Sequence, residues 1–166
     1  MTSLSSKSRF ATLITAALVA ISGALIAAPS ASAAKADLVW YLDRDFRDTI
    51  DVKGDGDSHG DITVANGTIS ETRGGKAVGT YALVGVYATV NIPGGRIDRS
   101  VNQALTVGKS TIYMTTLVST NAGVPPAETF THAIIGGTGK YAGARGEVIV
   151  KPLSDSRFKY RFFFID

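Results

Sequence analysis

Few residues in this sequence can do chemistry, and their spacing decides which chemistry that is. There are two histidines, His59 and His132, and no cysteine. A zinc site would need carboxylates to complete it, and no ligand spacing offers them. His132 alternates with Phe130 and Ile134, so the three share one face of an extended chain. It is either a core histidine with satisfied hydrogen bonds or a general acid or base in a cavity. Asp43, Arg44 and Arg145 are the other catalytic candidates. An apolar cavity drives a carboxyl towards its neutral form and strengthens a guanidinium contact, so such a set could polarise an enone or stabilise an enolate. The plainer reading is an ion pair at a rim or between subunits. Asp55-Gly56-Asp57-Ser58-His59-Gly60-Asp61 sets oxygen ligands at alternate positions, as a calcium loop does. The fifth position is His59, however, and the twelfth is Asn66 rather than a bidentate glutamate, so a polar surface loop accounts for it and no metal is expected. Asp61 opens a strand and suits a structural hydrogen-bond acceptor.

The elements that hold these residues begin after an export signal. Lys7 and Arg9 precede an apolar run over 10–28, followed by Pro29 and the small-x-small site Ala31-Ser32-Ala33. This is the layout of a cleaved secretory signal peptide, expected over 1–33. An uncleaved membrane anchor competes, because the run approaches the length of a bilayer span. Cleavage leaves one domain over 34–166, secreted and with no further membrane contact. The chain has 17 basic and 14 acidic residues; without Lys7 and Arg9, 15 basic face 14 acidic, a net charge of +1. A near-neutral surface of mixed sign lacks the footprint of a nucleic-acid-binding protein. Without disulfides, such a domain must rely on its core, or on its core and subunit contacts.

Beyond the signal no stretch carries a 3.6-residue apolar stripe. Short β-rich runs alternate with Gly and Pro, which predicts an antiparallel sandwich or barrel. The expected strands cover 37–42, 61–65, 68–70, 76–91, 96–107, 110–120, 129–135, 145–151 and 158–165. Residues 43–57 read as a polar loop with a short extended piece over 49–52, and Asn66-Gly67 as a hairpin turn. In 76–90 one face carries Val78, Ala82, Val84, Val86 and Val90, and the other Tyr81, Leu83 and Tyr87. Both faces are apolar, so both need cover: one as a barrel interior, the other against a second subunit. The aromatic last strand suggests pairing on both edges, as closure requires.

The stretch Gly136-Gly137-Thr138-Gly139-Lys140-Tyr141-Ala142-Gly143-Ala144-Arg145-Gly146 has five glycines in eleven residues and must turn sharply, with positive φ. It is not a phosphate cradle: no Gly-Lys-Ser/Thr follows, and a β run comes next. It resembles the Gly-Gly-Thr/Ser-Gly-x-aromatic segment of plant dirigent proteins and allene oxide cyclases, with the Ala-Arg-Gly ending in the dirigent form. Phe158-Lys159-Tyr160-Arg161-Phe162-Phe163-Phe164 resembles the closing aromatic strand of the cyclases. Gly60-Asp61-Ile62 and Val78-Gly79-Thr80 fall where those families carry similar residues. The resemblance implies an eight-stranded antiparallel closed barrel, commonly trimeric, that steers a reactive apolar molecule without cofactor or metal. The plant cyclase's first-strand glutamate and asparagine are absent: registering on Leu42-Asp43-Arg44 puts Leu38 and Trp40 in their place. That cyclase's own activity is therefore not expected here.

Two functions follow from these expectations. A cavity could fold a bound polyene, enone or radical pair so that one cyclisation or coupling geometry dominates. Alternatively, the barrel carries an extracellular apolar metabolite without catalysis. A barrel with no ligand at all, acting through its surface, is a third. Trp40, Tyr81, Tyr87, Tyr113, Phe130 and Tyr141 are the expected ligand-binding aromatics. The partners expected are an apolar small molecule and further copies of the chain, as a dimer or trimer.

Overall fold

The computed structural model describes residues 35–54, 56–92, 96–121 and 126–165. The expected signal peptide lies outside these residues. Eight strands are formed: β1 (Leu38–Ile50), β2 (Ile62–Ser70), β3 (Ala77–Ile92), β4 (Arg96–Val107), β5 (Ser110–Asn121), β6 (Phe130–Gly137), β7 (Gly146–Pro152) and β8 (Arg157–Phe164). Each pairs antiparallel with the next, and β8 pairs with β1, so the sheet is a closed barrel. The aromatic last strand is indeed held on both edges, by β7 and β1.

Period two selects the inward residues. β4 turns Ile97, Arg99, Val101, Gln103 and Leu105 inward, and all five are buried. β8 turns Phe158, Tyr160 and Phe162 inward. On β3 the Tyr81, Leu83 and Tyr87 face lines the interior. The Val84 and Val86 face is exposed and continues across the outer wall through Tyr113, Leu117 and Ile135. Leu117 and Ile135 are 63% and 59% exposed.

Two expectations for the first hairpin need correction. The charged stretch after Leu42 is strand, not loop, because β1 continues to Ile50. Asn66-Gly67 lies within β2 rather than at a turn. The cause of both is the continuous pairing of β1 with β2 from Tyr41 to Ile50, interrupted by one β-bulge between Arg44 and Phe46. Arg44 pairs with Gly67, while Arg47 pairs with Ala65. Three positions apart, the two arginines would point to opposite faces of a regular strand; the extra residue restores both to the face of Ala65. Gly67 serves close approach: a Cβ there would meet the Asp43 carbonyl at 2.0 Å.

The glycine segment closes one end. It contains a single 3₁₀ turn, Gly139–Tyr141, with Gly139 and Gly143 at φ 60° and 76°. Gly146 comes so near β8 that a Cβ would meet the Phe163 carbonyl at 2.0 Å.

Candidate functional site

The interior divides into two halves. Trp40, Leu42, Ile69, Leu105, Ile112 and Phe162 form the centre of a continuous apolar cluster at the glycine-segment end. Trp40 packs edge-on against Phe162 with ring centroids 5.0 Å apart, and against Tyr141 at 6.0 Å. Tyr141 stacks on Phe164. This end is filled.

Towards the other end, where β1, β3, β5 and β7 finish, a pocket opens between the inward side chains. The cavity volume is about 70 Å³. Arg44, Arg47, Arg99, Gln103 and His132 supply its most polar wall; Phe130, Phe158, Val101, Val118 and Leu83 supply apolar wall. Tyr81 and Tyr160 form its aromatic inner boundary. No carboxylate lines it among the described residues.

Each polar group is placed by its strand. Arg99 is 5% exposed. Its Nη2 donates to Thr120 Oγ1 at 3.0 Å, and its Nε is buried without a partner. The guanidinium sits over the Tyr87 ring at 5.9 Å. Burial first, and then the positive charge of Arg47, weaken its hold on its proton. Arg47 is weakened likewise, by burial and then by Arg44. An arginine stays protonated under such pressure, so the wall carries three mutually repelling positive charges. Arg44 lies beside Phe158, 5.9 Å from its ring, and donates to the Asp155 carbonyl.

Deeper, the Tyr160 hydroxyl donates to Gln103 Oε1 at 3.0 Å, leaving Gln103 Nε2 with no acceptor. Burial raises the Tyr160 and Tyr81 phenols well above their ordinary range, so both are neutral donors. His132 is 1% exposed, between Phe130 at 5.4 Å and Tyr160 at 6.2 Å. Neither ring nitrogen has a partner. Burial lowers its pKa to about 4, so at neutral pH it is a free imidazole with one donor and one acceptor. Such a group can donate one hydrogen bond to a bound molecule and accept another, and so orient it.

Of the residues named from sequence, Arg44, Tyr81, Phe130 and His132 line the cavity, and Tyr87 backs its Arg99 wall. The others lie elsewhere. Asp43 has the opposite parity to Leu42 and pairs with Arg157 across β1 and β8. Arg145 is exposed beside the glycine segment, its carbonyl accepting from Ile165 N. Trp40 and Tyr141 belong to the filled end. Tyr113 lies on the outer wall. Arg47, Arg99, Gln103 and Tyr160 were not singled out. The signal for two of them was Ile97-x-Arg99-x-Val101-x-Gln103-x-Leu105, two polar residues on an apolar face.

Asp61 is structural. Its carboxylate accepts from Val52 N at 3.0 Å, Ser58 N at 2.7 Å and Ser58 Oγ at 2.7 Å. These bonds hold its pKa below the usual carboxylate value. Asp55 of the same loop is outside the described residues; among the described residues no group of three or more acidic or histidine side chains could hold a metal.

Solved structures share this architecture. Pyocyanin demethylase superposes with a TM-score of 0.61 at 21% identity, over 75% of this chain and 97% of that one. A pterocarpan synthase dirigent protein gives 0.50 at 18%, over 74% and 78%. A Diels Alderase from Streptomyces koyangensis gives 0.51 at 12%, over 78% and 67%. The fold is that of the dirigent and cyclase barrels. No family model and no curated protein matches the sequence.

Proposed function

We propose that this chain is a secreted barrel that binds a largely apolar small molecule in its pocket and directs that molecule's cyclisation or coupling geometry. The observation that carries this reading is the unequal interior. A barrel that needed only stability would be filled throughout, yet this one keeps unpartnered polar atoms at the wall of a pocket. Three barrels of the same fold, a demethylase, a dirigent protein and a Diels Alderase, bear names of small-molecule chemistry. Holding two reacting atoms in one geometry can lower a barrier by about 7–11 kcal/mol without a cofactor. Neutral His132 is a candidate hydrogen-bonding group that orients the ligand, Tyr81 is a candidate donor, and Phe130 and Phe158 hold the body of the ligand.

The experiment is a screen of polyenes, enones and phenolic radical pairs with the purified protein, read by the chirality of the product. One enantiomer in excess, lost in His132→Phe or Tyr81→Phe, supports direction of the reaction. Tight binding with a racemic product identical to the protein-free control leaves the carrier function.

A second part of the proposal concerns the outer wall. Val84, Val86, Tyr113, Leu117 and Ile135 make an apolar patch across β3 to β6. The register places uncharged Ser100, Asn102, Ala104 and Thr115 between them. A contiguous apolar surface of this kind marks an association site. With no charge to select a different partner, a second copy of the chain is the occupant.

A further inference from the structure

We infer that the ligand is a carboxylate on an apolar body, its anionic head at Arg99 near the mouth and its body pointing inward to Gln103 and His132. This rests on the cavity reading above and adds the substrate class to it.

The charge comes first. Arg99 is buried, and its Nε–H has no acceptor. Arg47 and Arg44 add positive charge against it. Among the described residues the acidic group that acts on Arg99 is Asp57, which is exposed in the loop before β2 and makes no ion pair with it. Leaving a buried charge without a counter-charge is costly, and folds keep such a group where a ligand completes it. A carboxylate matches a guanidinium in geometry as well as sign.

The depth of the site fixes the orientation. Arg99 and Gln103 are four residues apart on the same inward face of β4, roughly 13 Å along the strand. One head group cannot reach both. Gln103 Nε2 and the His132 nitrogens therefore face the far part of the ligand. The wall between is Phe130, Phe158, Val101 and Val118, which a bare hydrated anion would leave facing water. This favours an organic acid over free phosphate.

The test compares 2-naphthoate with 2-naphthamide, equal in shape and different in charge, by titration calorimetry on the full protein. Naphthoate is expected to bind at least about tenfold more tightly, a difference of about 1.4 kcal/mol. That preference should vanish in Arg99→Met and shrink in Arg47→Gln, while naphthamide binding stays the same in both. If Arg99→Met does not fold, Arg47→Gln alone decides. Salt at about 1 M should weaken the acid and spare the amide. Equal affinity for acid and amide would overturn the carboxylate assignment and leave the cavity reading intact. Displacement of naphthoate by millimolar inorganic phosphate would overturn the apolar body. Binding of neither probe would overturn both readings.

Discussion

The two ends of this barrel are built from the same eight strands and are filled in opposite ways. At the glycine-segment end, Trp40, Phe162, Tyr141 and Phe164 meet ring to ring. At the other end, four buried polar atoms have no partner among the described residues: Arg99 Nε, Gln103 Nε2 and both nitrogens of His132. All four belong to side chains that line the cavity. Each unmade hydrogen bond of a buried group costs about 1–3 kcal/mol. One end therefore supplies stability, and the other holds groups that no described residue satisfies.

Trp40→Ala is the largest test of this division. It should cost about 3–5 kcal/mol, read from the urea midpoint. Phe130→Ala, at the half-buried edge of the cavity, should cost less than half of that. Equal losses would mean that the two ends are not different in kind.

A pH series sharpens the comparison at the open end. The folded protein lowers His132 from 6.5 to about 4. Between those values the unfolded chain takes up a proton that the folded one refuses. Stability is thus complete above pH 6.5 and falls as the pH drops towards 4, by up to about 3 kcal/mol. His132→Phe should flatten that slope. The Asp61 carboxyl, held low by its three hydrogen bonds, acts in a more acidic window. Its contribution is full above the ordinary carboxylate range and is lost as the pH falls below that range, so Asp61→Asn should lower stability at neutral pH and flatten only that acid limb of the pH dependence. Urea midpoints between about pH 3 and neutrality separate the two.

Leu117→Lys has the smallest expected effect on the subunit, under about 0.5 kcal/mol for an exposed site. It should nevertheless reduce the particle mass seen by light scattering. An unchanged monomeric mass in both proteins would remove the proposed contact on the outer wall.

Much of the barrel was legible in the sequence, and the reason is local. From β3 onwards, Gly and Pro punctuate runs of regular alternation; the expected 96–107 matches β4 as it stands. The first hairpin was not legible, because Asp43-Arg44-Asp45-Phe46-Arg47-Asp48 has the composition of a loop. Only pairing with β2 and β8 makes its first part strand. The cavity was half legible. His132, Tyr81 and Phe130 show themselves by alternating with apolar neighbours. Arg47 could not, since the bulge that turns it inward leaves no periodic trace. Trp40 and Tyr113 were misplaced for a different reason. An aromatic residue suits a cavity, a packed plug or an outer contact equally, and only the register tells which.

The filled end has a consequence for traffic. A tube open at both ends could admit one molecule while releasing another; here the packed rings of Trp40, Tyr141, Phe162 and Phe164 stand across one of those routes. A ligand bound as proposed would leave by the way it came, so a transformed molecule that lingered would block its successor. Turnover would then be throttled by departure, and the outgoing molecule would act as a competitive inhibitor of the incoming one.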